Sequence, residues 1–198
     1  MSVKLYIEGG GEGPLLDTLF RQGWRQFFEA AGLAGSMPGV VRGQGRTQTF
    51  DLFATAVANP RGGTLPLLLV DSEAPVTVGH AVWQHLKERD HWERPFGATD
   101  DQAFLMVQVM ETWFLADRDL LRIYFGASLR ENHLRQWPSL EAVPKLTVFD
   151  ALNQSTAGCH RHYAKGKVSY ELLGKLSPVR VEAACPHAKT LLDRLRAL

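Results

Sequence analysis

The chain has 198 residues and a mass of 22.1 kDa, with 45% apolar and 22% charged residues. That balance fits one compact globular domain and excludes a collagen-like repeat or a disordered tail protein. No apolar run is long enough to span a bilayer, the opening MSVKLYIEGG does not have the form of a secretory signal, and two cysteines are too few for a disulfide scaffold, so a reducing cytoplasm is the expected location. The net charge of +1 hides an asymmetry: residues 1–120 carry 15 acids against 10 bases, and residues 121–198 carry 6 against 12. Such a division suits a metal site beside an anion-binding surface, and it also arises by chance.

Val3 to Ile7 predicts a short strand that stops at Glu8-Gly9-Gly10-Gly11. Pro14 then suits a first helical turn, and Leu15, Leu16, Leu19, Phe20, Phe27 and Phe28 recur at helical spacing, which predicts a helix over 14–33. Val40-Val41 predicts a second short strand. Thr47 is the expected cap of a helix with Phe50, Phe53, Ala54 and Val57 on one face, ending at Asn59-Pro60. Leu65 to Val70 is apolar on both faces, as a central parallel strand should be, and ends at Asp71. A helix is expected over 76–90 and a fourth strand from Phe104 to Val109, leading into Met110-Glu111-Thr112-Trp113-Phe114-Leu115-Ala116-Asp117. The order β-α-β-α-β-α-β predicts an α/β fold with a parallel sheet of about four strands flanked by helices. After Gly126 the pattern turns mostly helical and ends in an amphipathic segment with Ala188, Leu191, Leu192, Leu195 and Leu198. The expected organisation is a core over 1–125 and a helical extension over 126–198 packed on it.

In open parallel sheets chemistry collects at the carboxyl ends of strands. Three of the four expected strands end in acid: the first at Glu8, with Glu12 beyond the glycines; the third at Asp71, with Glu73 two positions on; the fourth near Glu111. Converging carboxylates repel one another unless a cation sits between them. Hard oxygen ligands select Mg²⁺ or Mn²⁺. Each acid also has an ordinary reading. Glu8 suits a solvated turn, Asp71 a helix cap, and Glu111 a first helical turn favoured by the helix dipole.

Glu8-Gly9-Gly10-Gly11-Glu12 after a strand resembles the E-G-x-x-E/D opening of Toprim domains. Val70-Asp71-Ser72-Glu73 resembles their D-x-D, with Glu in the second place, and Glu111-Thr112-Trp113-Phe114-Leu115 resembles a segment of Toprim-like proteins related to OLD-family nucleases and RloB-like proteins. With Tyr163-Ala164-Lys165-Gly166-Lys167 and Cys185-Pro186, nearly the full chain is similar to a bacterial family of domains of unknown function, numbered 4276, in that superfamily. The resemblance implies a Toprim-like (Rossmann-like) fold and metal-dependent phosphodiester chemistry. It implies Glu8 as metal ligand or general acid/base and Asp71 and Glu73 as metal ligands, with Glu12 and Glu111 as further ligand candidates. It also implies nucleic acid as substrate and an ABC-type or OLD-like ATPase partner in anti-phage defence.

Other signals are weaker. The glycines after the first strand lack the third Gly of a dinucleotide fingerprint, and there is no G-K-[ST] of a P-loop. Cys159, His160, His162, Cys185 and His187 form the only zinc-like set, at unfamiliar spacing. Lys145, Arg161, Lys165, Lys167 and Lys175 read either as a solvated face or as a phosphate track, with Lys165 and Lys167 as its key members. Arg42 and Arg46, after the second strand, are the nearer candidates for a bound phosphate. Two function classes follow: a Mg²⁺- or Mn²⁺-dependent nuclease, and a non-catalytic Toprim-like subunit of an ATPase complex.

Overall fold

The computed structural model describes residues 2–60 and 62–198. The sheet contains β1 (Ser2–Glu8), β2 (Gly39–Gly43), β3 (Thr64–Asp71) and β4 (Ala103–Met106), all parallel and in the spatial order β2-β1-β3-β4. Strand residues alternate between two apolar layers, as the two-residue period of a pleated strand requires. Leu5, Ile7, Leu67, Leu69, Phe104 and Met106 face one layer, and Tyr6, Leu68, Val70, Ala103 and Leu105 face the other. The first layer is closed by α1 (Pro14–Phe28), α4 (Thr112–Ala116), α5 (Arg118–Phe125), α6 (Lys145–Thr156), α7 (Lys167–Leu173), α8 (Pro178–Ala184) and α9 (Pro186–Arg196). The second, smaller layer is closed by α2 (Arg46–Ala58) and α3 (Val82–Asp90).

The expected strand–helix alternation is present, with local differences that have physical causes. The fourth strand stops at Met106, short of Val109, because Gln108 takes a left-handed φ of 64° that breaks the regular extended pattern. The helix expected from residue 76 begins at Val82. The preceding stretch contains Pro75 and Gly79, the latter at φ 85°. Gly45 caps α2, and Thr47 lies inside the helix. The long first helix passes at Phe28 into a π-helical turn over Glu29–Leu33, with Gly32 at φ 87°.

The topology creates a crevice. From β1 the chain steps outward to β2, returns past β1 to β3, and continues in the other direction to β4. The direction of winding therefore changes between β1 and β3, whose carboxyl ends carry Glu8 and Asp71. The C-terminal helices close over this end from the first layer. One close approach in that closure is where α1 crosses α7: a Cβ on Gly23 would lie 2.6 Å from the carbonyl oxygen of Tyr170. Gly23→Ala must push the two helices apart and should cost ~1–3 kcal/mol, the usual range for overpacking, read as a lowered midpoint in urea unfolding. Unchanged stability would show that the helices do not meet at this glycine.

Candidate functional site

Glu8, Asp71 and Glu73 converge. Each offers a carboxylate oxygen within 4.8 Å of the others'. Backbone pairing accounts for the first two, since the β1–β3 register matches Ile7 with Leu69 and runs both strands out on the same edge. Glu73 is brought back by a turn beyond β3, in which it adopts a φ of 61°. That turn is held by a continuation of the β3–β4 pairing: Ser72 N–H donates to Met106 O at 2.9 Å, Glu73 N–H to Gln108 O at 2.9 Å, and Gln108 N–H to Ser72 Oγ at 2.7 Å.

The carboxylates sit in poorly hydrated surroundings. Asp71 is 8% exposed, and its Oδ1 accepts a hydrogen bond from Met110 N–H at 2.8 Å. Burial, and then the charges of Glu8 and Glu111, push its carboxyl well above the usual carboxylate range. Burial also raises Glu8, against the lowering effect of Arg46. Arg46 Nη1 donates to Glu8 Oε2 at 3.1 Å and to the carbonyl of Asp71, while its Nε and Nη2 grip both oxygens of Asp90 at 2.8 and 2.6 Å. Its planar face lies 5.0 Å from the Trp92 ring centroid. Arg46, expected at a phosphate, thus spends its donors on Glu8, the end of β3 and Asp90.

Arg42 is likewise turned inward. It pairs with Asp17 and donates through Nη2 to the carbonyls of Gly10 at 2.6 Å and Gly11 at 2.8 Å. Its guanidinium lies against the rings of Phe20 and Tyr170. A Cβ on Gly9 would meet Arg42 Nε at 2.9 Å, so the glycine is what lets the loop lie on the arginine. Arg42 braces the glycine loop from behind.

A cavity of about 300 Å³ opens beside the acids. Glu8, Asp71, the glycines 9–11, Glu111, Lys165 and Ser169 are among its walls. Glu111 is 1% exposed; its Oε1 accepts from Tyr163 Oη at 2.8 Å and Ser169 Oγ at 3.3 Å, and it stands outside the cluster of three. Burial and the Glu111 charge hold the Tyr163 hydroxyl protonated far above its ordinary range. Glu12 is exposed and also outside the cluster. Lys165 is exposed at the cavity rim, 5.2 Å from the Phe149 ring centroid, and Lys167 is exposed at the start of α7, 3.9 Å from Glu171. Among the described residues the cysteines and histidines of the zinc-like set form no ligand group: Cys159 and Cys185 are buried, and His187 Nδ1 is 2.8 Å from Glu141.

A family model described as a domain of unknown function (DUF4276) matches residues 7–196. The chain belongs to that family. The match reaches from the last residues of β1 to the end of α9, so in this member of DUF4276 the acid cluster, the glycine loop and the C-terminal helices all lie inside the family's span. Comparisons with curated proteins and with solved structures gave no match. No helix among the described residues is long and apolar enough to cross a membrane.

Asp90, Gln108 and Arg89, whose Nη2 lies 3.8 Å from Glu73 Oε2, hold the site without any local sequence signal. They reach it by pairing with residues far away in the chain, and only the fold reveals them. The repulsion built into the cluster has a measurable sign. A carboxyl raised in the folded state favours folding when protonated and loses that contribution as pH rises from the ordinary carboxylate range through the raised value. Asp71→Asn keeps an acceptor for Met110 N–H and removes one charge. In the presence of EDTA at neutral pH it should therefore raise the melting midpoint, by ~2–4 °C for each kcal/mol relieved, and should flatten the fall in stability as pH rises above the ordinary carboxylate range. A lowered midpoint would mean that Asp71 is stabilised as an anion by the fold itself.

Proposed function

We propose that the chain is a Mg²⁺- or Mn²⁺-dependent phosphodiester hydrolase, a nuclease with a Toprim-like active site. The observation that carries this reading is the convergence of Glu8, Asp71 and Glu73 at the winding switch of a parallel sheet, with oxygens within 4.8 Å of one another. Oxygens that close together can reach one cation at ligand distances of ~2.0–2.6 Å. The donor set is all carboxylate, which suits a hard divalent ion, and the buried repulsion between Glu8 and Asp71 is of the kind a cation relieves.

In this reading Glu8, Asp71 and Glu73 hold the ion, which would polarise a phosphoryl oxygen and make water more acidic. The alternative role that the resemblance implies for Glu8 is general acid/base. Arg46 fixes the Glu8 carboxylate through Oε2 and keeps the end of β3 in register with it. Tyr163 and Ser169 orient Glu111, whose charge strengthens the field at Asp71. Lys165 at the rim, with the exposed Lys167 and Arg161 beyond it, offers a phosphate backbone a cationic approach to the acids. The resemblance to OLD-family and RloB-like proteins supports nucleic acid as the substrate and an ATPase partner in defence against phage.

Calorimetric titration with Mn²⁺ and Mg²⁺, followed by a plasmid-nicking and RNA-cleavage assay with and without EDTA, tests the reading. The parent protein should bind the ion and cleave, EDTA should stop cleavage, and Asp71→Asn should lose both ion binding and cleavage while keeping its fold. A parent that binds neither ion removes the basis of the proposal. A separate measurement concerns the cationic rim. Lys165→Ala with Lys167→Ala should weaken nucleic-acid binding across sequences and flatten the salt dependence by about one unit for each lost phosphate contact. Ion binding should be unchanged. A double variant that binds nucleic acid like the parent would make these lysines a solvated face.

A further inference from the structure

Lys145 is the first residue of α6, after Pro144. Its ammonium contacts Glu73 Oε2, and Arg89 Nη2 lies 3.8 Å from the same oxygen. The Lys145 side chain is 30% exposed and that of Glu73 17%, so solvent screens this pair less than it does an ordinary surface ion pair. The lysine is also anchored through its backbone. As an N-terminal helical residue its N–H has no partner within the helix. It donates instead to Gln108 Oε1 at 3.1 Å. Gln108 is the residue whose carbonyl receives Glu73 N–H and whose own N–H reaches Ser72. Two residues in left-handed conformation, Glu73 and Gln108, thus lock together and carry the start of α6 with them. The fold places an ammonium on one particular oxygen of the acid cluster and fixes both ends of the contact.

A pair of divalent ions acting on one phosphate stands ~3.5–4 Å apart and shares carboxylate oxygens between its members. Here the three clustered acids are the only group of that kind among the described residues, and one of their oxygens, Glu73 Oε2, is already taken by a cation. Glu111, the next carboxylate, is turned to Tyr163 and Ser169. We propose that Lys145 stands in the place of a second metal, so that the site takes up a single divalent ion and uses the lysine as its built-in second cation. The inference rests on the metal-binding reading above and goes further, because it fixes the number of ions and names the residue that fixes it.

The experiment counts ions on the full chain with Mn²⁺ alone, by calorimetry and by electron paramagnetic resonance. The parent should bind one ion per chain. Lys145→Met keeps the straight stem and removes the charge; it should bind two, with the coupled resonance signal of neighbouring Mn²⁺ ions. Lys145→Arg should return the count to one. A parent that binds two ions overturns the inference and leaves the metal-binding reading intact, as does a folded Lys145→Met that still binds one. A parent that binds none overturns both. Should Lys145→Met fail to fold, Lys145→Gln serves the same comparison, and the parent's count already decides against the inference if it is two.

Discussion

Glu8 and Asp71 end two strands that are hydrogen-bonded neighbours, so the backbone itself forces two like charges together where water is scarce. Much of the surrounding structure answers to that constraint. Arg46 crosses from the start of α2 to bind Glu8 and the last carbonyl of β3, and a guanidinium so placed needs its own counter-charge, which Asp90 supplies from the end of α3. Trp92 covers the open face of Arg46 and stacks on Phe50 with ring centroids 4.4 Å apart, tying the same arginine to the second apolar layer. Asp71 receives Met110 N–H, and Glu73 receives Lys145. Each compensation enters from a different element, so the acid cluster joins the two layers as well as forming a candidate site.

The C-terminal third belongs to this arrangement. One hydrophobic cluster runs from Leu5 and Ile7 of β1 through Trp24 and Trp113 to Leu191 and Leu192 of α9. Glycines at the α1–α7 crossing let the helices approach closely: Gly23 admits the Tyr170 carbonyl and Gly174 admits the Gln26 side chain. The approach delivers Tyr170 and Ser169 to the cavity and lets Tyr170 Oη donate at 3.3 Å to Gly10 O, one of the two carbonyls that Arg42 holds. The glycine loop is therefore braced from two sides, by an arginine of β2 and a tyrosine of α7.

What could be read from the sequence follows from the range of the interactions concerned. The four strands, and the acids Glu8 and Asp71 that end the first and third, were legible because each is a local signal: a short apolar run that stops at an acid needs no distant partner to be recognised. The acid end expected for the fourth strand is absent, since β4 stops at Met106, five residues before Glu111. The convergence of Glu8 and Asp71 follows from parallel pairing, whereas Glu73 joins them through a left-handed turn held by Met106 and Gln108. The fourth strand was drawn three residues too long because Val107 and Val109 continue its apolar run, whereas the left-handed Gln108 that ends it is dictated by its bonds to Ser72 and Glu73. Arg42 and Arg46 were legible as cations near the site. Their partners were not, since a guanidinium in a glycine-rich stretch presents the same pattern whether it meets a phosphate or, as here, carbonyls and carboxylates of its own chain. Lys145 appeared only as one member of a basic run, and its contact with Glu73 spans 72 residues.

The uneven charge along the chain now has a spatial meaning. The acid-rich first part supplies the cluster from strand ends, and its own cations, Arg46 and Arg89, are shared with Asp90 and leave little positive charge facing the cavity. The basic last part reaches the same place from above, with Lys145 on Glu73 and Lys165 on the cavity wall. These two lysines have different surroundings and so different uses. Lys145 is partly shielded and anchored through its backbone, and its ammonium sits on a carboxylate of the cluster. Lys165 is exposed, with its ammonium resting against Phe149, so it is free to meet an incoming anion without first breaking an ion pair. An acidic floor under a cationic rim is the arrangement in which a cation is held low and a polyanion is drawn over it. In this chain the two layers of charge are written in separate stretches of sequence and meet only when α6 docks on Gln108 and α7 packs against α1.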